Sequence, residues 1–306
     1  MKLNFQDLNI LLIGDFMVDH YLFGSTDRFS PEAPIPVVNF ENELIVPGGA
    51  GNVAMNLTSF GVNVTCVGCV GDDLWGKKLI KILKENKINT KYIEIKNEYQ
   101  TTCKQRVYCA SKQQSRLDFE VFLSDWSPAK MIDYSNYDLI ILSDYNKGVF
   151  KRNWFSPGDV NVILDPKIYN SHIFKYSNII TPNIKELGDI TNTKIVDIYS
   201  IENVSRKLID EFNINYVVVT KGEEGMTIIS DNEPIKNIEA HKVNNPDVTG
   251  AGDTVIAALG SVYAKTGDIE KAAEIANAAA ALAVQNRGTF KINVNKIKDL
   301  VKIIDK

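Results

Sequence analysis

The chain predicts an α/β protein: a mostly parallel central sheet, helices on both of its faces and a small accessory β-sheet. Three observations carry this. Continuous apolar runs of strand length alternate with helical periodicities, the pattern of a parallel sheet covered on both sides. Polar residues gather directly after five of those runs, where open α/β sheets bind ligands. Residues 20–47 and 99–123 fit neither pattern. They carry short β-type segments, in the first case broken by Pro31, Pro34 and Pro36, and are expected to form the accessory sheet.

Composition bounds the function. The 306 residues are 44% hydrophobic and 24% charged, with a formal net charge of −4, a balance that points to neither nucleic acid nor an anionic membrane surface. No apolar run approaches the roughly 18 residues of a membrane span, and residues 1–7 are too polar to lead a signal peptide. A cytoplasmic protein forming one folding unit over residues 1–306 is therefore expected. Cys66 and Cys69 have CxxC spacing but lie in a strand-like run with no second Cys or His pair, so buried thiols are expected rather than a metal or redox site.

Residues 8–14 read as the first buried strand, opening at Gly14 onto Asp15 and Asp19. The β-type segments 21–24 and 35–40 follow. Pro47 to Asn52 then returns the chain to the main body. Val53, Leu57 and Phe60 fall at i, i+4 and i+7 of a helix that Gly61 closes. A strand over residues 62–68 leads to a helix over 73–85. The glycines before Asn52 suit either turn chemistry or close backbone contact with a polyhydroxylated ligand.

Residues 101–122 read as a hairpin turning at Ser111-Lys112. Alternation puts Lys104, Arg106 and Tyr108 on one face, with Arg116 offered from the return strand. Such residues either guard a solvated sheet edge or form a basic patch for a substrate phosphate. Arginine's fork favours Arg106 and Arg116 for the second role.

Beyond Ser124, buried strands are expected at 138–143, 160–164, 177–180 and 216–220, and helices at 184–191 and 201–212. Their tips carry Asp144, Asn146 and Lys147; Asp165 and Lys167; Asn183, Lys185 and Glu186; and Lys221 and Gly222. Asp268 caps an alanine-rich helix, and residues 291–306 read as a terminal amphipathic helix.

One stretch organises the rest. In Asp247-Val248-Thr249-Gly250-Ala251-Gly252-Asp253-Thr254, two glycines allow a sharp turn with exposed N–H groups, and the apolar run from Val255 begins a buried helix. Exposed amides at a helix start bind anions, typically phosphoryl groups. A carboxylate there would repel a phosphate. Asp253 is either a helix cap or a base aimed at an acceptor hydroxyl beside the anion.

Residues 48–71, with Asn52, Gly61 and Gly71 in step, resemble the first signature of the ribokinase/PfkB carbohydrate kinases, and residues 247–259 resemble the second. Within that family, the segments 14–21, 30–38, 116–120, 142–148 and 165–167 are similar to the D-glycero-β-D-manno-heptose-7-phosphate kinases, which supply a precursor of ADP-heptose. Ile168 and Pro246 depart from the expected pattern beside the site.

The resemblance implies a ribokinase-like fold with the accessory strands as a lid that often pairs two subunits, hence a homodimer. It implies ATP and Mg²⁺ as cofactors, with K⁺ an open requirement. Asp253 would deprotonate the sugar 1-hydroxyl, with Gly250, Ala251 and Gly252 as the anion hole. Asp15, Asp19, Gly48, Gly49 and Asn52 would hold the sugar. Asn183 and Glu186 would act on Mg²⁺ through water, and Lys185 on ATP phosphates. Thr220, Lys221, Gly222 and Gly225 would form the nucleotide loop, with Asn277 on the adenine side. The companion adenylyltransferase activity would come from another polypeptide. Rival readings are another sugar or nucleoside kinase of this fold and a non-catalytic binding regulator, the latter disfavoured because a binder has no need of Asp253.

Overall fold

In the computed structural model, which describes residues 4–109, 112–231 and 233–285, the first apolar run forms β1 (Asn9–Gly14). Its alternation separates two cores: Ile10 and Leu12 pack on one face of the sheet, Leu11 and Ile13 on the other. The chain leaves β1 through Asp15 directly into β2 (Phe16–Ser25), continues with β3 (Asn39–Gly49), and returns as α1 (Ala50–Phe60), β4 (Asn63–Gly71), α2 (Leu74–Glu85) and β5 (Asn89–Lys96). The hairpin follows as β6 (Thr102–Cys109) and β7 (Lys112–Phe119). Then come β8 (Leu139–Ser143), β9 (Val162–Asp165), β10 (Ile179–Ile180), α3 (Ile184–Thr191), α4 (Ile198–Phe212), β11 (Tyr216–Thr220), β12 (Met226–Ile229) and β13 (Lys236–Ile238). The described chain closes with α5 (Ala251–Thr266) and α6 (Ile269–Ala283).

Among the described residues the main sheet has nine strands in the order β13-β12-β11-β10-β9-β8-β1-β4-β5. All pairings from β5 to β11 are parallel; only β12 and β13 add antiparallel pairs at one edge. Residues of α1, α2, α5 and α6 share the core on one face, and residues of α3 and α4 the core on the other. The alanines let α5 and α6 pack closely, and Gly260 sits where an added Cβ would come within 2.8 Å of Ile141 Cδ1 on β8. That contact fixes the height of α5, and so of its N-terminal turn, against the middle of the sheet.

The second sheet has the order β3-β2-β6-β7, with β2 and β6 parallel. It differs from the sequence reading in extent. Residues 35–38 are not strand, apart from an isolated bridge between Phe29 and Pro36. Pro47, Gly48 and Gly49 are the end of β3, paired with Val18, Met17 and Phe16, rather than a free turn. A Cβ on Gly48 would lie 2.4 Å from Asp19 Oδ2, so glycine there gives the Asp19 carboxylate room beside β3. Strands β5, β12 and β13 were not evident from sequence, because they are half-exposed or only three to four residues long. The helix expected from residue 201 starts three residues earlier, because Asp197 and Ser200 form a capping box. Ser111 of the hairpin turn and the expected helix at 291–306 lie outside the described residues. All four cysteines are buried and free, and burial raises the thiols of Cys66, Cys69 and Cys103. No described helix is long and apolar enough to cross a membrane.

Candidate active site

The tips of β1, β8, β9 and β10, the start of α1 and the start of α5 converge at one edge of the main sheet, facing the polar face of the small sheet. Helix α5 begins at Gly250, whose φ of +74° is left-handed backbone that glycine adopts without strain. No side chain caps this start. An added Cβ on Gly252 would meet nothing within 4 Å, so space stands open before the first-turn N–H groups.

Asp253 lies in that first turn and is 4% exposed. It is no helix cap: Asn52 Nδ2 donates to its Oδ2 at 2.7 Å, and Tyr145 Oη donates to its Oδ1 at 2.5 Å. Burial pushes its carboxyl up to about 6, the two hydrogen bonds and the nearby Lys104 ammonium pulling against burial and the Asp19 charge. A carboxylate with that value is ionised at neutral pH yet basic enough to accept a proton.

Asp15, at the exit of β1, is 2% exposed and accepts from the backbone N–H groups of Tyr145, Lys147 and Val149 at 2.8, 3.0 and 3.2 Å. It therefore clasps the loop after β8. Burial raises its pKa despite these bonds. That loop is tied to the small sheet as well, because Lys147 Nζ reaches Glu120 Oε2 at 2.8 Å just past β7.

Across the small sheet, pairing aligns two rows: Asp19, Lys104 and Asp118, then Tyr21, Arg106 and Arg116. Arg106 Nη1 pairs with Asp19 Oδ1 at 2.5 Å while its guanidinium lies 5.3 Å from the Tyr21 ring centre. Arg116 Nε pairs with Asp118 Oδ1 at 2.6 Å. Lys104 is half-buried, its ammonium 5.7 Å from the Tyr145 ring, and burial lowers its pKa.

At the other side of the α5 turn, Asn183 and Glu186 form a reciprocal capping box at the start of α3, with bonds of 2.9 and 3.0 Å. Glu186 also binds Lys167 Nζ. Lys167 is held charged despite burial by Asp165 and Glu186, and Asp165 is itself raised by burial. Lys185 is exposed on the same helix. The β11–β12 connection turns on Lys221 N–H to Gly225 O at 2.8 Å, with Gly222 and Gly225 at φ +61° and +89°. Thr220 bridges Asn183, which joins this loop to α3. Asn277 of α6 donates to Glu239 O at 2.7 Å and so positions the segment leading to Gly250.

Residues 7–295 match the family model described as "pfkB family carbohydrate kinase". The chain belongs to this family. It is a carbohydrate kinase, a phosphotransferase with an alcohol group as acceptor. Curated relatives agree. The chain is 37% identical over 303 residues to the bifunctional protein HldE of Aliarcobacter butzleri and 34% identical over 304 residues to that of Coxiella burnetii, covering 94% and 96% of this chain. It spans 63% and 64% of the length of those relatives. The fold is that of the ribokinases: Thermotoga maritima ribokinase superposes with a TM-score of 0.75 at 22% identity, covering 96% of this chain and 99% of that one. Arabidopsis thaliana ribokinase complexed with ribose and ATP gives 0.77 at 20% identity, covering 96% and 99%.

In this kinase, then, the residues singled out from sequence fall into three groups. Gly250, Ala251, Gly252, Asp253, Asn52, Asp15, Gly48, Gly49 and Asp19 sit around the α5 turn and the β1 and β3 exits. Asn183, Lys185, Glu186, Thr220, Lys221, Gly222, Gly225 and Asn277 surround α3 and the β11–β12 loop. Arg106 and Arg116 are opposed on the small sheet. Asp15 and Asn52 were read as sugar ligands; their side chains here clasp the 145–149 loop and hold Asp253. Sequence reasoning placed Lys104 in the possible basic patch and Lys167 at a strand tip but did not single out Tyr145, which follows β8.

Proposed function

We propose that this kinase phosphorylates D-glycero-β-D-manno-heptose 7-phosphate at the anomeric oxygen with ATP, giving the 1,7-bisphosphate. One observation carries the phosphorylated substrate: Arg106 and Arg116 stand directly opposite each other on β6 and β7. Like charges in that position repel, and Asp19 and Asp118 pair with them one each. A sugar phosphate arriving on this face would bridge both forks. The segments similar to heptose-7-phosphate kinases support the heptose.

In the reaction, Asp253 takes the proton of O1–H as that oxygen attacks the γ-phosphorus, and ADP leaves. The N–H groups of Gly250, Ala251 and Gly252 hold the γ-phosphoryl oxygens. Asp15 fixes the loop that carries Tyr145, and Gly48 leaves room for the Asp19 carboxylate beside the sugar. Lys185, Thr220, Lys221, Gly222, Gly225 and Asn277 hold the nucleotide.

No cluster of three metal-binding side chains occurs among the described residues. Mg²⁺ keeps most of its waters and uses one or two carboxylates with substrate phosphates, and the partly exposed Glu186 beside Asn183 fits that mode. Bound there, Mg²⁺ would neutralise phosphate charge as the bond to ADP breaks. The lid strands would pair two subunits.

A panel of sugars and sugar phosphates with ATP and Mg²⁺, the position of the new phosphate read by NMR, tests the reading. Turnover of the heptose 7-phosphate with a new anomeric phosphate supports it. Preference for an unphosphorylated sugar, or phosphate on another oxygen, rejects it.

A further inference from the structure

The mechanism above leaves one group at the reacting centre without a part. Tyr145 follows β8, is half-buried, and its Oη donates to Asp253 Oδ1 at 2.5 Å. Asn52 Nδ2 reaches the other carboxyl oxygen from α1 at 2.7 Å. Two donors on opposite sides thus hold both oxygens of one carboxylate. Tyr145 is itself held. Its backbone N–H is bonded to Asp15, and Lys104 Nζ of β6 and Lys167 Nζ after β9 lie 5.7 and 5.8 Å from its ring centre.

We propose that Tyr145 is a positioning residue that keeps the Asp253 carboxylate ionised and fixed for proton abstraction, a role that rests on Asp253 being the base. The phenol stays protonated and so donates to the carboxylate, since burial and the Asp253 charge push its own ionisation far upward. The charged groups facing Asp253 come from three elements. Asp19 of β2 disfavours the ionised form and Lys104 of β6 favours it, while Asp165 of β9, itself raised by burial, is raised further by the Asp253 charge. With burial and one like charge set against one cation, the ionised state depends on its hydrogen bonds. Asn52 supplies a neutral amide; Tyr145 supplies the shorter bond.

The test is the pH profile of kcat/KM in Tyr145→Phe, which removes one oxygen and keeps the ring. Removing a donor to a carboxylate raises its pKa, so the acidic limb moves upward by roughly one unit. Turnover is then about fivefold low near pH 6, and the deficit shrinks as pH rises, while KM for ATP stays unchanged. A loss of equal size at every pH, or no loss, overturns the proposal. Should Tyr145→Phe fail to fold, 3,5-difluorotyrosine at position 145 keeps the shape and strengthens the donor. The limb then moves to lower pH, and an unmoved limb overturns the proposal. Near-normal turnover of Asp253→Asn would instead reject Asp253 as the base.

Discussion

The α5 turn and the small sheet face the same space but are built differently. Around Asp253, a single buried carboxylate is held by two neutral donors, and the turn is seated on the sheet through the close packing of α5 on β8. On the small sheet, charges are balanced pairwise, Arg106 with Asp19 and Arg116 with Asp118, and the Arg116 and Asp118 side chains are 45% and 34% exposed. Neutral donors hold the carboxylate in place and favour its ionised form without adding a charge of their own. The Arg116 pair, near solvent, can exchange one anion for another at small cost. The difference suggests a division of labour in which the turn performs the transfer and the small sheet selects the sugar.

The largest break in that comparison should come at the turn. Asp253→Asn is expected to lower kcat by roughly 10²–10⁴-fold with ATP binding retained, measured by steady-state kinetics and calorimetry. In the unmodified protein, activity should fall as pH drops through about 6, because the carboxyl must be ionised to act and burial has raised it to that value. Gly252→Ala separates chemistry from stability. The new methyl meets no protein atom within 4 Å, so the melting temperature should hold while displacement of the phosphoryl group costs on the order of 10²-fold in kcat.

Effects on the small sheet should be smaller and fall on KM. Arg106→Gln removes charge-assisted bonds worth about 1.5–3 kcal/mol, raising the sugar-phosphate KM by roughly 10–100-fold. It should also lower the melting temperature, since the Asp19 side chain, 8% exposed, loses its partner. Arg116→Gln should raise KM by less, about threefold to tenfold, and leave the melting temperature nearly unchanged, because its pair is exposed.

What sequence made legible follows the same division. The parallel sheet, α1 closed by Gly61 and the Gly250–Asp253 turn could be read because each is a local pattern: an apolar run, a 3.6 period, a glycine at a fixed offset. Partnerships could not. That Asn52 reaches Asp253 across 201 residues, and Tyr145 across 108, is decided by packing of α1 and β8 against α5. Asp15 shows the limit most clearly. Its position after a buried strand marked it as a site residue, but only the loop geometry reveals three backbone N–H groups at its carboxylate. The alternation on β6 was readable; that Arg106 faces Arg116 required the register of the hairpin.

The central claim is that the small sheet selects a phosphorylated sugar while the α5 turn does the chemistry. Its most direct test is the ratio of kcat/KM for heptose 7-phosphate to that for unphosphorylated heptose, in the unmodified kinase and in the Arg106→Gln, Arg116→Gln double variant. We predict a large ratio that collapses in the double variant through the sugar-phosphate KM, with turnover of the unphosphorylated sugar unchanged. A ratio that survives the double substitution, or a loss that falls equally on kcat for both sugars, would contradict it.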